Sequence, residues 1–153
     1  MRGRAASGAV PSRHAAPVAG TAAGPARRAL AAGYLAIAAA GNRRLEVDFD
    51  RLNGRDRTDL AAARADLRDA AATERLFDQR LARIAFPAGT ETIARLLVIS
   101  NQARSELTAT AAGLASLTQL QAFERQLTAA NAPVEDAVIV LRGQLGLPPP
   151  DTS

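Results

Sequence analysis

Hydrophobic residues recur every three or four positions from Pro25 almost to the end of the chain, a spacing that is typical of amphipathic helices. The first stretch covers residues 26–52 and is expected to end at Asn53-Gly54, since both residues tolerate the backbone of a helix terminus. The second covers residues 57–85, with Asp56 as its expected N-cap. Two heptad rows run along this second helix: Leu60, Leu67, Glu74 and Leu81, and Ala63, Ala70, Phe77 and Ile84.

Two more helices are predicted in the second half of the chain. The third covers residues 87–112. Ser116 and Gln119 have the spacing of a capping box, which predicts that a fourth helix begins just after Ser116. Pro133 lies inside that helix and is expected to kink or break it near Asn131, because proline has no N–H to donate. The inward face of the third helix is expected to contain Ile93, Leu96 or Leu97, Ser100, Ala103 and Leu107.

Short links between four helices force neighbouring helices to run antiparallel. The sequence therefore predicts an all-α protein, an up-down-up-down antiparallel four-helix bundle over residues 26–146. Residues 1–25 mix small residues, proline and arginine without periodicity and are predicted to form a disordered tail. Residues 147–153 form a Pro-rich C-terminal tail. Charged pairs on the helices, among them those containing Asp48 and Asp78, are assigned to outward faces.

The positive charge of the chain is concentrated at its N-terminus. The formal net charge is +4, and residues 1–28 hold five arginines and no acidic residue. The rest of the chain contains fourteen arginines and fifteen aspartates and glutamates, so the predicted bundle is close to neutral. This distribution argues against nucleic acid as a partner of the bundle. No stretch approaches the roughly 20 apolar residues of a transmembrane helix, so no transmembrane segment is expected.

The residues that most enzymes use are missing from the predicted bundle. The chain has no cysteine, no lysine and no tryptophan, and its one histidine, His14, lies in the predicted tail. Histidine, cysteine and lysine are the usual general bases, nucleophiles and metal ligands. A di-iron bundle needs Glu-x-x-His pairs, which are also absent. We therefore expect no enzyme, no cofactor and no metal, with carboxylate chemistry at Glu74 as the remaining catalytic alternative.

A polar layer is predicted at the middle of the bundle. With the helices antiparallel, four polar residues fall within about 5 Å of the waist at about 1.5 Å per residue: Asn42, Glu74, Ser100 and Asn131. Glu74 interrupts a row of leucines, so its carboxylate is expected to point inward, where Arg44 or Arg104 could reach it. Three interpretations stay open: a layer that fixes helix register, a Glu74 at the seam edge that reaches solvent, and a ligand pocket widened by Gly41 and the kink at Pro133.

Three segments carry a resemblance to a known family: YLAIAAAGNRRLEVDFDRL, DLAAARADLRDAAATERLFDQRL and LQAFERQLTAANAPVEDAVIVLRGQLGLPPPDTS. They resemble small helical proteins of high-GC Gram-positive bacteria, many of which carry a signal peptide and a lipobox cysteine. The resemblance covers about residues 34–153 and implies a place in the cell envelope, but it brings no activity, cofactor or site residue. The chain departs from that pattern because it has no cysteine and no continuous apolar signal segment.

Three functions follow as expectations. The first is a non-enzymatic, envelope-associated module that has a structural role or binds a protein partner. The second is a cytoplasmic interaction protein whose basic tail contacts nucleic acid or acidic surfaces. The third is a binder of a small ligand at the polar layer, which requires a cavity beside Glu74.

Overall fold

The computed structural model describes residues 23–150, and within that range the chain is all-helical. Most of the predicted N-terminal tail, including His14, therefore lies outside the described residues. α4 and α5 are separated by Ala130 alone, so together they form one interrupted helix and the fold has four helical rods. The five helices are α1 (Ala23–Asn53), α2 (Leu60–Leu81), α3 (Ala88–Ala111), α4 (Leu117–Ala129) and α5 (Asn131–Gln144).

The interruption between α4 and α5 is the one that Pro133 predicts. α4 ends at Ala129, four residues before the proline. Pro133 cannot donate a hydrogen bond to the Ala129 carbonyl, and its ring would clash with that carbonyl in a continuous helix. The same residue is tolerated in the first turn of α5, where the N–H groups have no partner within the helix.

The helix caps confirm one prediction and correct another. The Ser116 hydroxyl accepts from the Gln119 N–H at 3.2 Å, as predicted, and the Gln119 side chain accepts at 2.9 Å from the N–H of Ala115, one residue before the N-cap. At the start of α2, however, the N-cap is Asp59. Its carboxylate accepts from the N–H groups of the second and third helical residues at 2.9 and 3.1 Å. The prediction of Asp56 was wrong because a turn occupies residues 54–58 before the helix begins.

Two apolar cores fill the bundle, and they differ in how well they are closed. The first, which includes Leu81 and Leu97, joins residues of α1, α2, α3 and α5. The second, around Leu67, has two other buried members, and its remaining side chains are only half-buried. No residue of α4 is buried. Glu74 lies midway between Leu67 and Leu81 on the same face of α2, so a polar layer separates the two cores.

α3 presents a different face to the core from the predicted one. Ser100 is half-buried and Ala103 is exposed, whereas the buried positions are Ala94, Leu97, Asn101, Ser105, Thr108 and Ala111. The inward face is thus shifted by one residue relative to the prediction. Burial of Ser105 and Thr108 costs little because their hydroxyls donate to carbonyls of their own helix, each at 3.0 Å.

Two acidic residues assigned to outward faces are buried instead. Asp48 is 8% exposed and Asp78 is 4% exposed. α2 packs against both α1 and α3, so the buried arc of α2 is wider than a single heptad seam and includes Asp78. Asp48 is buried on the α1 side of the same packing and keeps Arg51 within 3.8 Å. The outward assignment of both residues was wrong for this reason.

The chain after α5 lies against the bundle. Gly146 has a φ of 72°, a left-handed conformation that favours glycine at a helix C-terminus. Leu147 then packs on the first core, and the Arg142 Nε donates to the Pro148 carbonyl at 2.6 Å. These contacts hold residues 147–150 near the middle of the bundle.

Candidate functional site

Four polar side chains of α2 and α3 form a connected group, which we name the waist cluster: Glu74, Asp78, Asn101 and Arg104. The Asn101 amide donates to Asp78 Oδ1 at 2.8 Å and to the Glu74 backbone carbonyl at 3.2 Å. Arg104 donates through Nη2 to Asn101 Oδ1 at 2.7 Å, and its Nε lies 2.9 Å from Glu74 Oε1. Arg104 was one of the two arginines expected to reach Glu74, whereas Arg44 is exposed.

The waist cluster leaves two carboxylate oxygens without a donor among the described residues. Glu74 Oε2 and Asp78 Oδ2 are buried and have no hydrogen-bond partner within the described part of the chain. The Nε of Arg104 is close to Glu74, but its N–H is not directed at an acceptor, so this contact is an ion pair without a formal hydrogen bond. Unpartnered buried oxygens of this kind destabilise a fold by about 1–3 kcal/mol each. A further donor would satisfy these acceptors and stabilise the cluster.

Burial dominates the electrostatics of both carboxyls. Desolvation raises the pKa of Glu74, although the Arg104 guanidinium opposes the change. Desolvation also raises the pKa of Asp78, to about 6, with the Asn101 hydrogen bond and Arg104 acting in the opposite direction. A single cation is therefore too little to keep two neighbouring buried carboxylates at their ordinary pKa. The cluster would be stabilised by a proton or by a second cationic group.

A chamber of about 210 Å³ lies beside the waist cluster, between α1, α2, α3 and α5. Glu74, Asn101 and Arg104 form part of its wall, and Gly41 borders it on α1. The buried side chain of Tyr34 also lines it, and burial raises the pKa of that phenol against the effect of the nearby Arg142 guanidinium. The chamber is therefore a partly polar space at the centre of the bundle.

A larger cleft of about 400 Å³ continues from the same residues toward the open end of the bundle. Glu74 and Arg104 line both spaces, so they stand where the two meet. The backbone of α1 packs extensively only against α2, which leaves the gap between α1 and α4. Apolar side chains line that gap: Leu45, Phe49, Leu52, Leu67 and Leu127.

The structure brings together three of the four predicted layer residues. Glu74 is 2% exposed, which excludes the interpretation that it reaches solvent at the edge of the seam. Asn42 is exposed but lines the chamber with Glu74, and Asn131 is half-buried and lines the cleft with it. Ser100 borders neither space. The buried polar residue of α3 at this level is its neighbour Asn101.

Sequence reasoning missed two members of the waist cluster, Asp78 and Asn101. Asp78 follows Glu74 by four residues and therefore lies on the same side of α2. This spacing was a signal of burial, but the charge pattern led to the assignment of Asp78 to the surface. Asn101 could have been found as the partner that a buried carboxylate requires. The shift of α3 by one residue concealed it.

A second polar region lies where α1 meets α2. Asp66 is 5% exposed, and its Oδ2 has no hydrogen-bond partner within the described residues. Its pKa is raised by desolvation and by the neighbouring Asp56 carboxyl. Among residues 23–150, no three or more acidic, histidine or cysteine side chains are arranged to hold a metal ion.

Comparison of the chain with protein-family models, characterised proteins and solved structures found no match. The resemblance to small envelope proteins of high-GC Gram-positive bacteria therefore stays a prediction. None of the helices described here is long and apolar enough to cross a membrane.

Proposed function

We propose that this protein binds a small organic molecule in the chamber and the cleft, with Glu74 at the point where the two spaces meet. One observation carries the proposal. A carboxylate that is 2% exposed and has an unpartnered oxygen lines two connected spaces in an otherwise Ala- and Leu-rich bundle. A layer that served only to fix helix register would be stabilised by complete hydrogen bonding and close packing.

The composition of the two spaces supports a ligand site. Small-molecule sites are concave, occupy roughly 300–1,000 Å³, and combine apolar walls with a few polar groups that orient the ligand. The cleft has a volume of about 400 Å³, and five apolar side chains line it together with Glu74, Arg104 and other polar residues. The sites of helical bundles also lie between facing helices.

The proposal takes the helices as an up-down-up-down antiparallel bundle. The short connections at residues 54–59, 82–87 and 112–116 support this arrangement. The break before α5 supports it as well, because it lets α4 diverge from α1 while α5 closes the first core. In this arrangement the cleft opens at the end of the bundle where no α4 residue is buried.

A cavity-filling variant tests the site. A Cβ built at Gly41 has Phe77 Cδ2 at 4.0 Å as its nearest neighbour, so Gly41→Leu places a side chain in the chamber without an immediate backbone clash. Gly33→Leu is the matched control, because Gly33 also lies in α1, has comparable space around it, and borders neither the chamber nor the cleft. Both variants would be compared with the wild type in a fragment screen by ligand-observed NMR.

Fragments that bind the wild type and Gly33→Leu but not Gly41→Leu would support the proposal. Binding would be mapped through backbone amide shifts and through the fluorescence of Tyr34, the one tyrosine of a chain without tryptophan. No binding of any fragment, or binding whose amide shifts lie away from both the chamber and the cleft, would contradict a site at the waist.

A second candidate is the partner-binding module expected from the sequence. Its support is the set of large apolar side chains exposed on α3 and α5: Leu96, Ile99, Ile139 and Val140, between 46% and 63% exposed. The simplest partner is a second copy of the chain. Sedimentation velocity of the wild type and of Ile99→Ser tests this, since self-association should weaken in the variant, and a monomer at every concentration would end the idea.

Two further expectations concern location and the basic N-terminus. An envelope location, which the resemblance implies, is tested by cell fractionation together with mass-spectrometric mapping of the native N-terminus. Contact between the arginines of residues 1–28 and nucleic acid is tested by fluorescence anisotropy with duplex DNA at low and moderate salt. Failure to bind at low salt would remove the second of these expectations.

A further inference from the structure

We infer that the ligand of the cleft carries an ammonium or similar cationic donor group that binds Glu74, on an apolar body. The inference rests on the proposed function and adds the chemical class of the ligand. It follows from three features of the described residues: the missing donors of the waist cluster, the charges along the cleft and the apolar walls beside them.

The waist cluster lacks the donors that a cationic group would supply. Arg104 is shared between Glu74 and Asn101, and Asn101 already uses its amide for Asp78 and the Glu74 carbonyl. Neither Glu74 Oε2 nor Asp78 Oδ2 receives a hydrogen bond. An ammonium group has several N–H donors and a positive charge, so it supplies both of the missing elements. Because Glu74 is 2% exposed, its side chain must change conformation for a carboxylate oxygen to reach the cleft, and its terminal torsion is soft.

The charges along the cleft also favour a cation. Three glutamates line it, Glu74, Glu124 and Glu135, against one arginine, Arg104. Asp78 borders neither the cleft nor the chamber and lies one turn from Glu74 along α2, so its carboxyl adds negative charge only from behind Glu74. The chamber, by contrast, is lined by two glutamates, Glu74 and Glu135, and by two arginines, Arg104 and Arg142. Its charges therefore balance. A cationic group is therefore most stable on the cleft side of Glu74, where negative groups are in excess.

The apolar side chains of the cleft favour an apolar body for the rest of the ligand. Four leucines and Phe49, which is 37% exposed, line the cleft together with polar residues such as Asn53, Thr108 and Asn131. Burial of apolar ligand surface against these apolar side chains replaces contact with water and stabilises the complex. Glu74 at one end and leucines along the walls thus match a molecule with a cationic head and a hydrocarbon or aromatic body.

A matched set of three probes tests this assignment on the full chain. The probes share one body and differ in the head group: 4-phenylbutylammonium, 4-phenylbutanol and 4-phenylbutanoate. Affinities would be measured by calorimetry and by Tyr34 fluorescence, with amide shifts to locate each probe. We expect the ammonium probe to bind roughly tenfold or more tightly than the alcohol, since a charged hydrogen bond distinguishes them. The carboxylate should bind most weakly.

Variants then connect the preference to one side chain. Glu74→Gln keeps the shape of the side chain and removes its charge, and it should remove the preference for the ammonium probe while binding of the alcohol persists. Glu46→Gln, an exposed residue of α1 that borders neither space, should leave all three affinities unchanged. If Glu74→Gln does not fold, Glu135→Gln on the exposed rim of the cleft takes its place, with a smaller loss for the ammonium probe only.

The outcomes separate the inference from the function on which it rests. Tight binding of the alcohol or the carboxylate in the cleft, without preference for the ammonium, would overturn the inference and leave a small-molecule site in place. A preference for the ammonium probe that persists in Glu74→Gln, or in Glu135→Gln where that variant takes its place, would also overturn the inference. No binding by any probe, together with a negative fragment screen, would contradict the proposed function itself.

Discussion

Replacing Asp78 by asparagine should stabilise this protein at neutral pH, although it removes a charged residue from a hydrogen-bonded cluster. The side chain is 4% exposed, its Oδ1 accepts from Asn101 at 2.8 Å, and its Oδ2 has no partner among the described residues. Asp78→Asn keeps the acceptor for Asn101 and removes the buried negative charge. The variant therefore isolates the free-energy cost of ionising Asp78 in the folded state.

The magnitude follows from the pKa of the Asp78 carboxyl. Burial raises that pKa from 3.8 to about 6. At about 1.4 kcal/mol for each pH unit, the difference corresponds to about 3 kcal/mol of folding free energy lost at neutral pH. The new amide N–H groups also need hydrogen-bond partners, which reduces the gain. We therefore expect Asp78→Asn to raise the free energy of unfolding by about 1–3 kcal/mol at pH 7.5.

The sign of the effect predicts its pH dependence. A carboxyl with a raised pKa binds its proton more tightly in the folded state than in the unfolded state. Its destabilising effect is therefore complete above pH 6, decreases as the pH falls from 6 to 4, and vanishes below about 3.8. The advantage of Asp78→Asn should disappear over the same interval.

Urea denaturation followed by circular dichroism at 222 nm measures both quantities. The wild type and Asp78→Asn would be compared at pH 7.5 and at pH 4, with Asp136→Asn as the control at an exposed position of α5. The midpoint of Asp78→Asn should rise at pH 7.5 without a change in slope, and the control should remain within about 0.5 kcal/mol of the wild type. A destabilised Asp78→Asn at pH 7.5, or a gain that persists at pH 4, would refute the reasoning.

Four further substitutions, at three positions, test the helix backbone and a helix cap. Gly41→Ala should stabilise the protein by about 0.5–1 kcal/mol in urea, because alanine favours the interior of α1 and its Cβ meets only Phe77 at 4.0 Å. Gly54→Ala should destabilise the protein by about 1–2 kcal/mol, because a Cβ at this position lies 2.8 Å from the Asp50 carbonyl oxygen. An unchanged melting temperature would contradict this prediction. Ser116→Ala should cost about 1 kcal/mol through the lost cap of α4, whereas Ser116→Asp should restore most of it.

The sequence allowed the helical segments and several of their ends to be predicted, because these depend on local chemistry, although the start of α2 was misplaced by three residues. The N-cap at Ser116, the end of α1 at Asn53 and the break before Pro133 each follow from the properties of a few adjacent residues. Burial of Glu74 could be predicted for a related reason, since a strict heptad row on α2 places it between two leucines that are buried.

The rotation of α3 and the full width of the buried face of α2 could not be predicted in the same way. Both depend on tertiary partners: Asn101 is buried because Asp78 accepts its hydrogen bond, and Asp78 is buried because α3 covers that side of α2. A periodicity argument considers one helix at a time and gives apolar residues the inward positions. For this reason Ser100 was predicted to face inward in place of Asn101, and Asp78 was assigned to the surface.

The pKa of Glu74 with and without a bound cation tests the central claim most directly. Carboxyl-detected NMR would follow the Glu74 resonance against pH in the free protein and at saturation with 4-phenylbutylammonium. Because burial raises this pKa, a cation that binds the ionised carboxylate should lower it, by about 1 for every tenfold preference for the ionised form. An unchanged or higher pKa of Glu74 at saturation would contradict the assignment of Glu74 as the residue that binds the ligand.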